Sequence, residues 1–138
     1  MGLIYATVEL INEGDRILST RGYLPAENVR SMQTTILVDS GAYMLTLPEH
    51  LQLQLGLETL GEQEAELADG SIRLLKIAGP VQIRFENRMS ITTAMIIPGG
   101  EALLGAIPME DLDVIIHPRE QKLVVNPDNP FLAKKKLK

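Results

Sequence analysis

The tetrapeptide Asp39-Ser40-Gly41-Ala42, directly behind the apolar run Ile36-Leu37-Val38, places one carboxylate on a tight turn at a buried strand's end. A carboxylate in apolar surroundings must be paired, hydrogen-bonded or protonated, and two carboxylates sharing a proton can activate water by general acid-base chemistry. The chain carries this motif once, so such a pair needs a second chain. The other chemistry-bearing residues narrow the field. His50 and His117 are isolated, belonging to no HExxH helix or ligand cluster, and no metal or cofactor is expected. Ser40 lacks the G-x-S-x-G elbow, and nothing nominates a histidine base for it. Gly99-Gly100 is not followed by Gly-Lys-Ser/Thr, which removes a phosphate loop. Glu58, Glu62, Glu64, Glu66 and Asp69 form an acidic stretch that reads as the solvated face of a helix end and a strand.

The elements that must position Asp39 follow from periodicity and punctuation. A first strand is expected over residues 3–11, ended by the turn signal Asn12-Glu13-Gly14-Asp15. Residues 16–30 are polar and mixed, a surface excursion built from a hairpin and a helical turn. Residues 31–38 form the strand that delivers Asp39, continuously apolar at its end as a strand buried on both faces should be. Leu47, Leu51 and Leu55 recur every four residues, Pro48 suits a first helical position and Gly56 supplies a stop, which predicts a short amphipathic helix. Residues 64–68 and 71–78 flank Asp69-Gly70, a dipeptide suited to a two-residue hairpin turn. Further strands are expected over 81–85 and 89–97, punctuated by Gly79-Pro80 and Glu86-Asn87. A short strand over 102–105, a helical turn over 108–112, and strands over 114–116 and 123–125 complete the chain. Many short strands with Gly/Pro turns and one or two short helices define an all-β barrel or sandwich.

With 138 residues, the chain fits one domain, over 1–130, followed by a basic, disordered tail over 131–138. The composition is that of a globular protein, 45% apolar and 22% charged. A net charge of -5 and no basic stripe in the body argue against a nucleic-acid partner, whose phosphates would need Lys and Arg. The tail Lys134-Lys135-Lys136-Leu137-Lys138 reads as a solvated terminus. No cysteine is present, so there is no disulfide framework and no thiolate nucleophile. The N-terminus lacks a basic n-region and reaches Glu9 too soon for a signal-peptide core; no membrane partner is expected, and the cytoplasm is the expected compartment.

Four pieces together resemble the retropepsin-like, single-lobe aspartic proteases (clan AA), especially their small bacterial members. Ile36-Leu37-Val38-Asp39-Ser40-Gly41-Ala42 is similar to the catalytic loop, Ala68-Asp69-Gly70-Ser71 to the flap tip, and Ala102-Leu103-Leu104-Gly105 to the apolar-apolar-Gly element behind that loop. Residues 107–116 resemble the family's helix and the strand after it, so the resemblance runs from the first strand to about Val125. Ser40 replaces the commoner Thr and keeps a hydroxyl, while Tyr43 stands where retroviral relatives carry an Asp. The resemblance implies a retropepsin-like barrel with one lobe per chain. It implies a homodimer in which Asp39 and its symmetry mate hold a catalytic water, Ser40 braces the two loops, and Leu103, Leu104 and Gly105 support them. Peptide or unfolded protein is the implied substrate, bound extended beneath the flaps. A catalytically silent dimer of the same fold that binds peptides is the alternative.

Overall fold

Alternating apolar and polar residues become two paired strands at the start of the computed structural model, which describes residues 2–137. Strand β1 (Tyr5–Asn12) turns Ala6, Val8 and Leu10 inward, and β2 (Ser31–Val38) lies antiparallel to it with Ala6 opposite Ile36. The other strands of the main sheet are β3 (Leu45–Pro48), β4 (Glu58–Glu66), β5 (Ile72–Phe85), β6 (Arg88–Ile97) and β7 (Leu103–Leu104). They are ordered β1-β2-β7-β3-β6-β5-β4, and β1 also pairs with β5, so six strands close on themselves and β4 is left outside the ring on β5. The sheet is mixed: β2–β7 and β3–β6 are parallel, the remaining pairs antiparallel. Side chains from every strand of the ring fill its interior, among them Val8, Leu10, Ile36, Leu45, Ile83 and Leu104. The predominantly β architecture agrees with the all-β class expected from the sequence.

Among the described residues there are three α-helices rather than one or two: α1 (Glu13–Thr20), α2 (Glu49–Leu55) and α3 (Ala106–Leu112). The first begins where a turn was expected. Asn12 is its N-cap, accepting the Asp15 N–H at 3.0 Å, and Glu13 and Asp15 place negative charge in the first turn. The same four residues therefore serve as a helix start. After α1 the excursion holds a single 3-10 turn, Ala26–Asn28, and no hairpin. Helix α2 follows the expected pattern, with Gly56 stopping it in the left-handed conformation at φ 64°.

Gly79-Pro80 does not separate two strands. β5 runs through it, and the pairing with β6 shifts register between Ala78 and Val81, the bulged site where a proline without an N–H is tolerated. Strands β8 (Val114–His117) and β9 (Lys122–Val125) form a separate two-stranded sheet whose Val114 and Leu123 pack on the core. His117 shapes their turn, its Nδ1 accepting the N–H groups of Arg119 and Glu120 at 3.3 and 3.1 Å.

Candidate active site

Asp39 is fixed through the strand it terminates. The two residues of β7 lie between β2 and β3, with Leu37 beside Leu103 and Val38 beside Leu104 in parallel register, and Thr46 of β3 opposite Leu103. The Leu37 N–H donates to the Ala102 carbonyl at 3.0 Å and the Asp39 N–H to the Leu104 carbonyl at 3.0 Å. From the other side the Val38 N–H reaches the Ile4 carbonyl at 2.8 Å. Backbone on both sides thus holds the residue before the turn, and β7 holds Asp39 itself. Burial along β2 alternates until Ile36 and Val38, with Leu37 half-buried, so this strand is not enclosed on both faces as expected. Asp39 is half-buried, and Ser40 and Gly41 are exposed. One side of the loop therefore faces solvent.

The loop after Asp39 closes tightly. The Ala42 N–H donates to the Asp39 carbonyl at 3.1 Å, and the Gly41 N–H to the Asp39 carboxylate Oδ1 at 2.9 Å. Among the described residues the carboxylate takes no other hydrogen bond from the chain. The far side of the loop is clamped by the start of α3. The first N–H groups of a helix have no partner within it; here the Ala106 N–H donates to the Ala42 carbonyl at 2.8 Å and the Ile107 N–H to the Tyr43 carbonyl at 2.9 Å. Gly105 makes this clamp possible. A Cβ on it would lie 2.5 Å from the Met44 carbonyl oxygen and 2.5 Å from the Tyr43 carbonyl carbon, far inside contact distance. Its φ of -86° is ordinary, so the need for glycine here is one of space. The structure therefore brings Asp39, Ser40, Gly41 and Ala42 together with Leu103, Leu104 and Gly105. Tyr43 projects into solvent from this rigid mount, 78% exposed.

The residues Ala68, Asp69, Gly70 and Ser71 lie elsewhere, at the tip of the β4–β5 hairpin. The Leu67 N–H donates to the Ser71 carbonyl at 2.8 Å and the Gly70 N–H to the Leu67 carbonyl at 2.9 Å, which leaves three residues, 68 to 70, in the connection. The expected two-residue turn is thus one residue longer, a turn closed by Gly70 at φ 84°. Asp69 selects it by accepting both the Ser71 N–H at 2.8 Å and the Ser71 hydroxyl at 2.6 Å, and these bonds hold its carboxyl below the usual range. Among the described residues no hydrogen bond joins this tip to the Asp39 loop. The acidic residues of β4 are exposed, in keeping with a solvated face.

Two polar clusters escaped the sequence reading. Glu13 is buried and receives a two-pronged contact from Arg16 at 2.6 and 2.7 Å plus the Gln82 amide at 3.1 Å, so its carboxyl is held low chiefly by the Arg16 hydrogen bonds. Asp113 gathers the C-terminal segment. It accepts Asn126 Nδ2 at 3.0 Å, Asn129 Nδ2 at 2.8 Å and the Lys134 N–H at 3.0 Å, and the buried Arg88 guanidinium lies 3.8 Å away. These bonds, led by that from Asn126, depress the Asp113 carboxyl. Beyond it Lys135 pairs with Asp111 at 3.1 Å. Glu13 and Arg16 stand at helical spacing, which is a local signal, but Gln82 and the partners of Asp113 are distant in sequence, and no local pattern announces those contacts.

Among the described residues no three His, Cys, Asp or Glu side chains gather into a metal-holding group, and no helix is long and apolar enough to cross a membrane. No protein-family model and no curated protein matches the chain.

Proposed function

We propose that this chain is one lobe of a retropepsin-like aspartic endopeptidase that acts as a homodimer. The observation that carries the reading is the mounting of Asp39: a carboxylate at the end of a core strand, on a loop clamped by β7, Gly105 and the first turn of α3. Such a mount pre-organises a carboxylate while leaving one side open for a symmetry mate. In the dimer the Asp39 carboxylates share one proton, because two carboxylates brought within hydrogen-bond reach of each other do not both ionise cheaply. The ionised one takes a proton from water as its oxygen attacks the scissile carbonyl, and the protonated one donates to the carbonyl oxygen. Collapse of the resulting diol breaks the C–N bond, the amine leaves with a proton, and a carboxylic acid remains. The substrate is an extended peptide whose main chain adds to strand edges beneath the β4–β5 hairpins.

The test is Asp39→Asn, assayed on an unfolded protein and a peptide library from acidic to neutral pH. The wild-type protein is expected to cleave and the variant to be inactive with its fold intact. Cleavage that survives the substitution defeats the proposal, and peptide binding without cleavage in both proteins points to the silent binding module instead.

A further inference from the structure

A groove of about 800 Å³ starts at Ser40, runs along α3 and β8, and ends at the C-terminal lysines. Its floor is apolar, with Met109 and Val114 buried, Ile107 50% exposed and Ile115 38% exposed. The C-terminal segment forms one wall but does not fill it: Phe131, Leu132 and Leu137 all point to solvent. Asp113 and Asp111 hold that wall in place through Lys134 and Lys135. Beside the groove, β8 pairs only with β9 among the described residues, so its other backbone edge is open. Apolar floor and open strand edge lie together next to the loop that carries Asp39, a combination that single chains normally cover.

We propose that this face, formed by Ser40, α3 and β8, is where a second copy of the chain seats. The inference rests on the dyad reading above and adds the surface that reading leaves unassigned. A two-fold axis passing beside Asp39 obliges the surface next to Ser40 to face the partner, and that surface is this groove. The occupant is a second copy because the site is incomplete without one and because the groove is self-complementary in charge. Glu110 and Asp111 line it together with Lys134, Lys135 and Lys136. Asp111 and Lys135 already pair within the chain, and because a two-fold contact sets residue i of one copy against j of the other and j against i, Glu110 of each copy is set to meet Lys134 or Lys136 of its partner. The apolar floor supplies the dehydrated centre and the charged residues the rim.

Sedimentation velocity on the full chain, over a range of micromolar concentrations, tests the surface. Ile115→Glu and, independently, Ile107→Glu are each expected to weaken dimerisation by about tenfold or more, since either buries a charge against an apolar partner surface. Leu53→Glu makes the same change on an exposed residue of α2 outside the groove and is expected to leave the dimer unchanged. Thermal melts establish that each variant is folded. The axis is tested separately by Ser40→Cys in a chain that has no other cysteine. Mild oxidation is expected to link two copies, which requires their Cα atoms within about 7 Å. A wild-type dimer that both groove variants leave intact overturns this surface, while Ser40→Cys linkage in the same experiment leaves the dyad standing. A dimer broken by the groove variants but not linked through position 40 supports the surface and removes the dyad. A chain that stays monomeric at every concentration overturns both.

Discussion

Gly105→Ala is the substitution that most directly probes how Asp39 is held. The added methyl group would arrive 2.5 Å from the Met44 carbonyl oxygen and 2.6 Å from the Tyr43 carbonyl oxygen, both backbone atoms that no rotamer change can move. Either β7 or the loop must shift, and overpacking of this kind costs about 1–3 kcal/mol. A shift also stretches the Ala106–Ala42 and Ile107–Tyr43 hydrogen bonds, each worth about 1 kcal/mol. The sum is about 3–5 kcal/mol, which for a chain of 138 residues lowers Tm by about 10–17 °C. Thermal melts read the global effect, and hydrogen exchange reads the local one as lost protection at the amides of Asp39, Ala42, Ala106 and Ile107. Gly61→Ala is the control, since nothing lies within 4 Å of its added methyl, and it should stay within about 0.5 kcal/mol of wild type. A Gly105→Ala protein that melts with wild type and keeps those amides protected would refute the clamp.

Asn12 caps α1 and also donates to the Leu55 carbonyl at 2.9 Å and the Gly56 carbonyl at 3.2 Å, so Asn12→Ala should lose about 2–3 kcal/mol in urea denaturation, more than a cap alone. Arg30 hydrogen bonds hold the Asp15 carboxyl below its usual range. With the folded-state value depressed, the stabilisation is complete above the unfolded-state value of about 4 and is lost as pH falls through the folded one. Urea midpoints of wild type and Asp15→Asn should therefore differ at pH 7 and converge in acid, and a constant difference across pH would contradict the pairing. Asp113→Ala removes the acceptor for Asn126, Asn129 and Lys134, so hydrogen exchange and proteolysis should accelerate across residues 126–135 ahead of the main sheet. Unchanged protection there would show that the segment is held by something else.

The strands and the loop were legible where the signal is local. Alternation fixed β1 and β6 to within a residue or two, and the run Ile36-Leu37-Val38 before a small-residue turn located Asp39. Ala102-Leu103-Leu104-Gly105 marked the brace because an apolar pair ending on glycine suits close approach of two backbones. What was illegible depends on distant partners. Asn12-Glu13-Gly14-Asp15 carries turn and helix-start signals alike, and the decision for a helix is supported by bonds from Asn12 to carbonyls 43 and 44 positions on. Gly79-Pro80 reads as a break until β6 is present to absorb the extra residue in a bulge. The β4–β5 turn gained a residue because the Asp69 side chain captures Ser71, a choice the Asp-Gly dipeptide leaves open. Ring closure through β1 and β5, and the Arg88–Asp113 cluster, have no local trace.

The position of β7 between β2 and β3 has a consequence for how the protein is made. The atoms that hold Asp39 belong to Leu104, roughly 65 residues further along the chain, and ring closure waits for Ile83 to meet Leu10. Contacts of such separation form late, and a ribosome adding about 5–20 residues per second takes several seconds to supply them. During that interval the strand ending in Asp39 exists without its brace, so the carboxylate is not yet mounted. A nascent chain therefore carries Asp39 without its backbone brace until most of the chain has been synthesised, and the order of residues along the sequence sets when that loop is held.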